Sequence, residues 1–333
     1  MKKNILICGA GGFIGGHLVQ SLINDNNYNI FCADIKPFDR WFQFHEDLNN
    51  FSLDLRESSN CTKVTEKIDH VFNLACNMGG MGFIENNKAE CMLSVLINTN
   101  LLRASLKNKV SKFFFSSSAC VYNSSKQLTS FVPGLKESDA YPADPEDGYG
   151  WEKLFSERMC RHFFEDFGLE TRVVRYHNVY GPQGTFAGGR EKAPAAICRK
   201  IAEAKLTNNN EIDVWGDGEQ TRSFLYIDDC VAGSMSVFNS KSNQVFNIGS
   251  DEQVSINQMI DFISDIAEFK IKKNYKLDMP KGVRGRSSDN TLVTSDIGWK
   301  PKVSLQKGLK KTYEWIYNEI SNKDNLNLHK FYN

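Results

Sequence analysis

Short apolar runs alternate with longer stretches of helical period along the first half of the chain. Asn4–Cys8 is almost wholly apolar and predicts a strand buried on both faces, with Phe13–Asn24 as the helix that follows. Ile30–Ala33 is a second strand ending in Asp34, Phe51–Leu53 a third ending at Asp54, and His70–Leu74 a fourth. A helical period then runs from about Glu85 to Lys107. Lys112–Ser116 is the fifth strand, Gly148–Phe167 a helix, and Thr171–Arg175 the sixth strand. Alternation of this kind predicts the α/β class: a doubly wound parallel sheet with helices on both faces. Ligands of such sheets sit at the carboxyl ends of the strands.

After Tyr176 the pattern changes. A glycine-rich loop, Gly181–Ala193, precedes mixed short elements. We expect a nucleotide-binding domain over 1–176 and a smaller α/β substrate domain over 177–333. Within the second, 223–249 (strand, helix, strand) is expected to return to the first sheet. No repeats or heptads occur, and Ser321–Asn333 reads as a polar end.

Composition removes several classes of function. Forty basic residues balance forty acidic ones among 333, which gives no reason to expect nucleic acid or an anionic membrane as partner. The apolar run after Met1-Lys2-Lys3 is too short for a signal peptide, and no uninterrupted apolar segment is long enough to span a bilayer. Nine cysteines, none in a Cys-x-x-Cys pair, argue for free thiols in a reducing, cytoplasmic setting and against a metal site.

Three stretches carry chemistry. The first is Gly9-Ala10-Gly11-Gly12-Phe13-Ile14-Gly15, between a strand and a helix. Glycine is needed where backbone approaches a pyrophosphate and where the helix packs hard on the strand, and the helix amino terminus then offers free N–H groups to phosphate. This predicts a Rossmann-type dinucleotide cradle built on Gly9, Gly12, Phe13, Ile14 and Gly15. Asp34, 19 residues beyond Gly15, is spaced to accept the ribose hydroxyls and to repel a 2′-phosphate, which favours NAD over NADP. Nearby Lys36 and Arg40 pull the other way. Asp54 and Leu55 are candidates for the adenine end, Leu74 and Ala75 for the pyrophosphate and ribose.

The second and third stretches are Ser116-Ser117-Ser118-Ala119-Cys120-Val121-Tyr122 and Tyr149-Gly150-Trp151-Glu152-Lys153. Tyr149 and Lys153 lie four apart on one helical face. An ammonium beside a phenol favours the phenolate by roughly 1–3 pKa units, bringing tyrosine towards useful base catalysis. With the cradle, these residues resemble the extended short-chain dehydrogenase/reductase family. So do Arg175-Tyr176-His177-Asn178-Val179-Tyr180-Gly181-Pro182 and Arg222-Ser223-Phe224-Leu225-Tyr226-Ile227-Asp228-Asp229, and the likeness covers nearly the whole chain. It implies tightly held NAD contacted by Ser117, Tyr149 and Lys153, and nucleotide-sugar chemistry. His177 reads as structural.

Further segments narrow the resemblance within that family. They are Asn77–Ile84, Gly188–Ala196, Gln220-Thr221-Arg222 and Val283–Asn290. They are similar to members that act on GDP-mannose, inverting C3 and C5 to give GDP-L-galactose and GDP-L-gulose. The resemblance implies Tyr149 and Ser118 at the C4 hydroxyl, with Cys120 as base and Lys192 as acid on opposite ring faces. It implies Gly79, Glu191 and Ala193 against the sugar, and Asn178, Lys200, Gln220, Arg222 and Arg286 near the diphosphate. A homodimer paired through two long helices is expected by the same analogy. Ser118-Ala119-Cys120 lacks the carboxylic acid that sugar dehydratases of the family carry. Cys76-Asn77, Asn123 and the glycines flanking Tyr149 depart from the usual pattern. They keep open another GDP-hexose or GDP-heptose 4-dehydrogenase, epimerase or 4,6-dehydratase; a non-catalytic NAD-binding regulator is the remaining alternative.

Overall fold

The computed structural model describes residues 2–279, 282–322 and 328–331. Most of the polar end Ser321–Asn333 lies outside these residues. Strand β1 (Lys3–Cys8) buries Ile5, Leu6, Ile7 and Cys8 completely, so both of its faces are covered. Helix α1 (Phe13–Leu22) follows, then β2 (Tyr28–Asp34), β3 (Asn49–Ser52), α2 (Ser58–Val64) and β4 (His70–Asn73). Two short helices, α3 (Met81–Asn86) and α4 (Lys88–Met92), and a longer one, α5 (Ser94–Lys107), come next. Strand β5 (Lys112–Ser118), α6 (Tyr149–Phe167) and β6 (Glu170–Tyr176) complete the first part.

The second part contains β7 (Val179–Tyr180), α7 (Ala193–Thr207), β8 (Glu211–Trp215), β9 (Thr221–Ser223), β10 (Leu225–Tyr226), α8 (Ile227–Asn239) and β11 (Val245–Ile248). It ends with β12 (Gln253–Ser255), α9 (Ile256–Ile266), β13 (Lys272–Lys276), β14 (Gly285–Arg286), α10 (Thr291–Ile297) and α11 (Leu305–Ser321). Seven strands pair in parallel in the order β11-β6-β5-β4-β1-β2-β3. Strand order reverses between β1 and β4, the crevice where such sheets take their ligands. The predicted doubly wound sheet is therefore present.

The helix expected over Glu85–Lys107 is divided. Asn87 leaves helical geometry (φ −134°, ψ 43°) and its side chain donates to the Phe83 carbonyl at 2.9 Å. Asn86 does the same to the Gly82 carbonyl at 2.7 Å. Asparagine side chains that bond nearby backbone offer the chain an alternative to the helical ladder.

The strand ends are tied to the later elements by buried polar groups. Glu157 on α6 and Arg175 on β6 form a buried, doubly hydrogen-bonded ion pair, and the Ser117 hydroxyl donates to the same carboxylate. Asn247 on β11 accepts at Oδ1 from the Tyr122 hydroxyl at 2.5 Å and pairs with His177 Nε2 at 2.9 Å; its Nδ2 donates to the Leu135 and Asp289 carbonyls. His177 is fully buried, and burial pushes its pKa down to about 3, which keeps it neutral. It holds structure in place.

Candidate active site

The turn after β1 is shaped by backbone contact. Gly9 has φ +84°, and a Cβ there would lie 2.9 Å from the Leu74 carbonyl carbon. A Cβ on Gly15 would lie 2.0 Å from the Gly9 carbonyl oxygen. The first turn of α1, capped by Gly12, can sit on β1 only because this side chain is absent. A Gly15→Ala variant is expected to lose about 1–3 kcal/mol of stability in a denaturant titration, the usual cost of forced overpacking. Its preparation should also carry less nucleotide than the wild type when analysed by mass spectrometry.

Asp34 ends β2 and is buried. Its Oδ2 accepts from Gly11 N and its Oδ1 from Lys36 N, each at 3.0 Å, which aims the carboxylate at the cradle. Burial pushes its pKa up, opposed by Lys36 and these N–H groups. The Lys36 ammonium lies 3.9 Å from the Phe42 ring centroid. Asp54 pairs with Arg56 at 2.7 Å, and that hydrogen bonding holds its carboxyl below the usual range.

A cleft of about 610 Å³ runs from this cradle across the carboxyl ends of the strands. Gly9, Gly12, Phe13, Ile14, Gly15, Asp34, Asp54, Leu55, Leu74, Ala75 and Ser117 line it, together with Ser118, Gly79, Tyr149 and Lys192. Every residue expected to hold the cofactor except Lys153 is on that surface. Lys153 lies beneath it, 1% exposed. Glycines that a Cβ would fill, a helix amino terminus and a carboxylate at the end of β2 fit a dinucleotide.

Tyr149 is the first residue of α6, entered through Gly148 at φ +73°. A Cβ on Gly150 would lie 2.4 Å from the Cys120 carbonyl oxygen, so this glycine lets α6 press against the turn that carries Cys120. Lys153 Nζ lies 5.6 Å from the Tyr149 ring centroid, 4.8 Å from the Phe115 ring centroid and 3.6 Å from Glu152 Oε2. The expected lowering of the phenol does not govern here. Burial, with Cys76, Cys120 and Glu152 nearby, holds Tyr149 well above its ordinary value, while the Ser118 side chain favours the phenolate. The buried Glu152 carboxylate offsets the lysine. Burial works to lower the Lys153 pKa, but Cys76 and Glu152 carry it upward, so it keeps its proton.

Cys120 is buried just behind the cleft wall. Its backbone N–H donates to Ser118 Oγ at 3.2 Å, and Arg286 NH1 lies 3.7 Å from its sulfur. Burial first, then the Glu146 carboxylate, push its thiol up to about 12 against the pull of Arg286. Lys192 caps α7 and lines the cleft. Burial lowers its pKa, while the Cys120, Cys76 and Cys230 thiols oppose that.

The loop that presents Lys192 is zipped to the loop after β4. Gly80 N donates to the Arg190 carbonyl at 3.0 Å, and a Cβ on Gly80 would meet the Glu191 carbonyl at 2.5 Å. Arg190 donates to Asn77 Oδ1 at 2.9 Å and lies 3.8 Å from the Phe83 ring centroid. Sequence reasoning missed Arg190, Tyr176 and Tyr180, all of which line the cleft.

Other predicted substrate residues do not line the cleft. Asn178 donates to the Ser223 carbonyl, Lys200 to the Asp213 carbonyl and Gln220 to the Trp215 carbonyl. Glu191 accepts from Gly189 N and faces Arg199 at 3.5 Å; Ala193 begins α7. Arg222 and Arg286 are neighbours on β9 and β14, paired in register. Arg286 is held by Gln127 Oε1 at 2.6 Å and Glu146 Oε1 at 2.5 Å. Burial and Arg286 together lower the Arg222 pKa to about 9.

Residues 5–249 match the model of the NAD dependent epimerase/dehydratase family, and this protein belongs to that family. The chain is 48% identical over 323 residues to GDP-mannose 3,5-epimerase 1 of rice (Oryza sativa subsp. indica), covering 96% of this chain and 83% of that one. The fold is similar to UDP-glucose 4-epimerase of Thermotoga maritima, solved with UDP-glucose (TM-score 0.86, 27% identity, 95% and 99% of the two chains). It is also similar to UDP-glucuronic acid 4-epimerase of Bacillus cereus, solved with UDP-glucuronic acid and NAD (TM-score 0.80, 26% identity, 95% and 99%). The cofactor of the family is NAD. Among the described residues no helix is long and apolar enough to cross a membrane.

Proposed function

We propose that this protein converts GDP-mannose to GDP-L-galactose by inverting C3 and C5, and to GDP-L-gulose by inverting C5 alone. The observation that carries this reading is that Ser118, Tyr149 and Lys192 line one dinucleotide cleft with Cys120 buried just behind its wall. Hydrogens on C3 and C5 of a hexose are not acidic until C4 is a ketone; then each carbanion is an enolate. NAD, bound over Gly9, Gly12, Gly15 and Asp34, supplies reversible two-electron oxidation of that alcohol. Tyr149 Oη takes the C4 hydroxyl proton, and Ser118 Oγ bonds the same oxygen. Lys153 stabilises the phenolate as it forms. Cys120 Sγ and Lys192 Nζ exchange protons with the ring carbons from opposite faces, one removing while the other delivers. Arg222 and Arg286, paired in register beside the Cys120 turn, are the guanidinium donors proposed for the diphosphate. The buried Asp34 carboxylate at the end of β2, on the cleft surface, supports NAD over NADP. The reading is tested by incubating the protein with GDP-mannose and resolving the products by NMR: both GDP-L-hexoses are expected, and a dehydrated or stably oxidised sugar contradicts it.

We read 1–176 as the cofactor unit and 177–333 as the substrate unit, with 223–249 returning to the sheet. The chain is proposed to work as a homodimer in the cytoplasm. Leu93, Leu96, Trp151 and Phe155, on and beside the packed helices α5 and α6, are all exposed, which supports pairing with a second copy there. Light scattering should give the dimer mass, and Phe155→Glu the monomer mass; a monomeric wild type at micromolar concentration counts against it.

A further inference from the structure

Lys192 reaches the cleft from a loop, and the two residues before it tie that loop down in different directions. Gly188 and Gly189 take φ +89° and +91°, the left-handed region, and turn the chain. Glu191 then faces Arg199 on α7 at 3.5 Å. Arg190 goes instead to the loop after β4. Its NH1 donates to Asn77 Oδ1 at 2.9 Å and to the Met78 carbonyl at 3.2 Å, and its guanidinium carbon lies 3.8 Å from the Phe83 ring centroid. The Arg190 carbonyl accepts from Gly80 N at 3.0 Å, and a Cβ on Gly80 would lie 2.5 Å from the Glu191 carbonyl oxygen. Asn77 is itself fixed, because its N–H donates to Ser94 Oγ on α5 at 2.9 Å. A guanidinium suits this joint: it bonds two acceptors and lies over an aromatic ring at once, a combination that a lysine ammonium matches poorly. The joint links two segments that both line the cleft, one through Gly79 and the other through Lys192.

We propose that Arg190 is a positioning residue for Lys192: its guanidinium straps the 188–192 loop to the loop after β4 and so fixes the place from which the Lys192 amine meets the sugar ring. This deepens the epimerase reading of the cleft and rests on it. Asn77 is the other half of the strap, supplying an oxygen that accepts; a carboxylate at that position serves equally, and a methyl group does not. Ser118 ends β5, and Tyr149 and Lys153 lie on α6, so the C4 machinery stands on elements other than those the strap joins. The strap therefore bears on proton exchange at the ring carbons and leaves hydride transfer at C4 in place.

The test compares the two steps in Arg190→Met, which keeps much of the side chain's length and removes its donors. Deuterium uptake at C3 and C5 of GDP-mannose, and product formation with it, should fall about 10²-fold, the effect of misplacing a reacting group by about 1 Å. The 4-keto sugar trapped by borodeuteride should stay at the wild-type level. Asn77→Ala should shift exchange the same way but less, and Asn77→Asp should keep the wild-type rate. Because the two side chains act as one joint, Arg190→Met combined with Asn77→Ala should be no slower than Arg190→Met alone. Keto-sugar trapping that falls as far as exchange does, or wild-type exchange in Arg190→Met, would overturn the proposal. A second arm needs no substrate. Amide hydrogen exchange of the intact protein, read by peptide mass spectrometry, should quicken about tenfold over 78–84 and 186–192 in Arg190→Met, the factor that one lost charge-assisted hydrogen bond implies. The central sheet should keep its protection. Unchanged exchange in both segments, or a loss spread over the whole chain, would also overturn the strap. This arm decides on Arg190 even where the wild-type protein leaves GDP-mannose unchanged, a result that would count against the proposed function instead.

Discussion

Tyr149→Phe is expected to lower turnover of GDP-mannose by about 10²–10⁴-fold, the usual contribution of a positioned acid or base. The phenol touches both halves of the chemistry through one oxygen. Without it the C4 proton has no acceptor, no ketone forms, and C3 and C5 stay non-acidic. Deuterium uptake at both carbons should fall together with product formation. Fold and cofactor binding should survive, because the hydroxyl accounts for little of the residue's burial against Ile84, Cys91 and Cys120. A variant that keeps exchanging C3 or C5 hydrogens would show that activation does not pass through this residue.

Cys120→Ala should separate the steps that Tyr149→Phe removes together. Product formation and deuterium uptake are expected to drop by about 10²–10⁴-fold. The 4-keto sugar should still form and be trapped by borodeuteride as a labelled hexose. Ser118 keeps its bond from residue 120, because the donor at 3.2 Å is the backbone N–H, which alanine retains. Equal loss of keto-sugar trapping and of exchange would show that the thiol serves C4 chemistry or the fold.

Much of this was legible because the relevant signals are local. The run Ile5–Cys8 with glycines behind it and Asp34 at the next strand end determines a cradle by sterics that involve a handful of adjacent residues. Tyr149 and Lys153 share a face because helical period requires it. What stayed hidden depends on distant packing. The break at Asn87 comes from side-chain amides competing for carbonyls that a periodic apolar pattern does not register. The depressed phenol inferred for Tyr149 reverses because burial, with Cys76, Cys120 and Glu152 nearby, raises it, and burial is a property of the assembled sheet. Glu146 carries no local sequence signal; only the approach of β14 makes it a buried partner of Arg286. The glycines flanking Tyr149 looked like a departure from the pattern, yet Gly150 is where α6 meets the Cys120 turn with no space for a side chain. Asn178, Lys200 and Gln220 carry backbone hydrogen bonds that brace the second part of the chain, which sequence spacing does not reveal.

The account depends on a transient carbonyl whose two neighbouring carbons trade protons with a sulfur and a nitrogen. Incubating the protein with GDP-mannose in deuterated water and locating the label by NMR tests it most directly. Deuterium at C3 and C5, and at no other ring carbon, is the predicted result. Conversion of the substrate with no label at either carbon would contradict it.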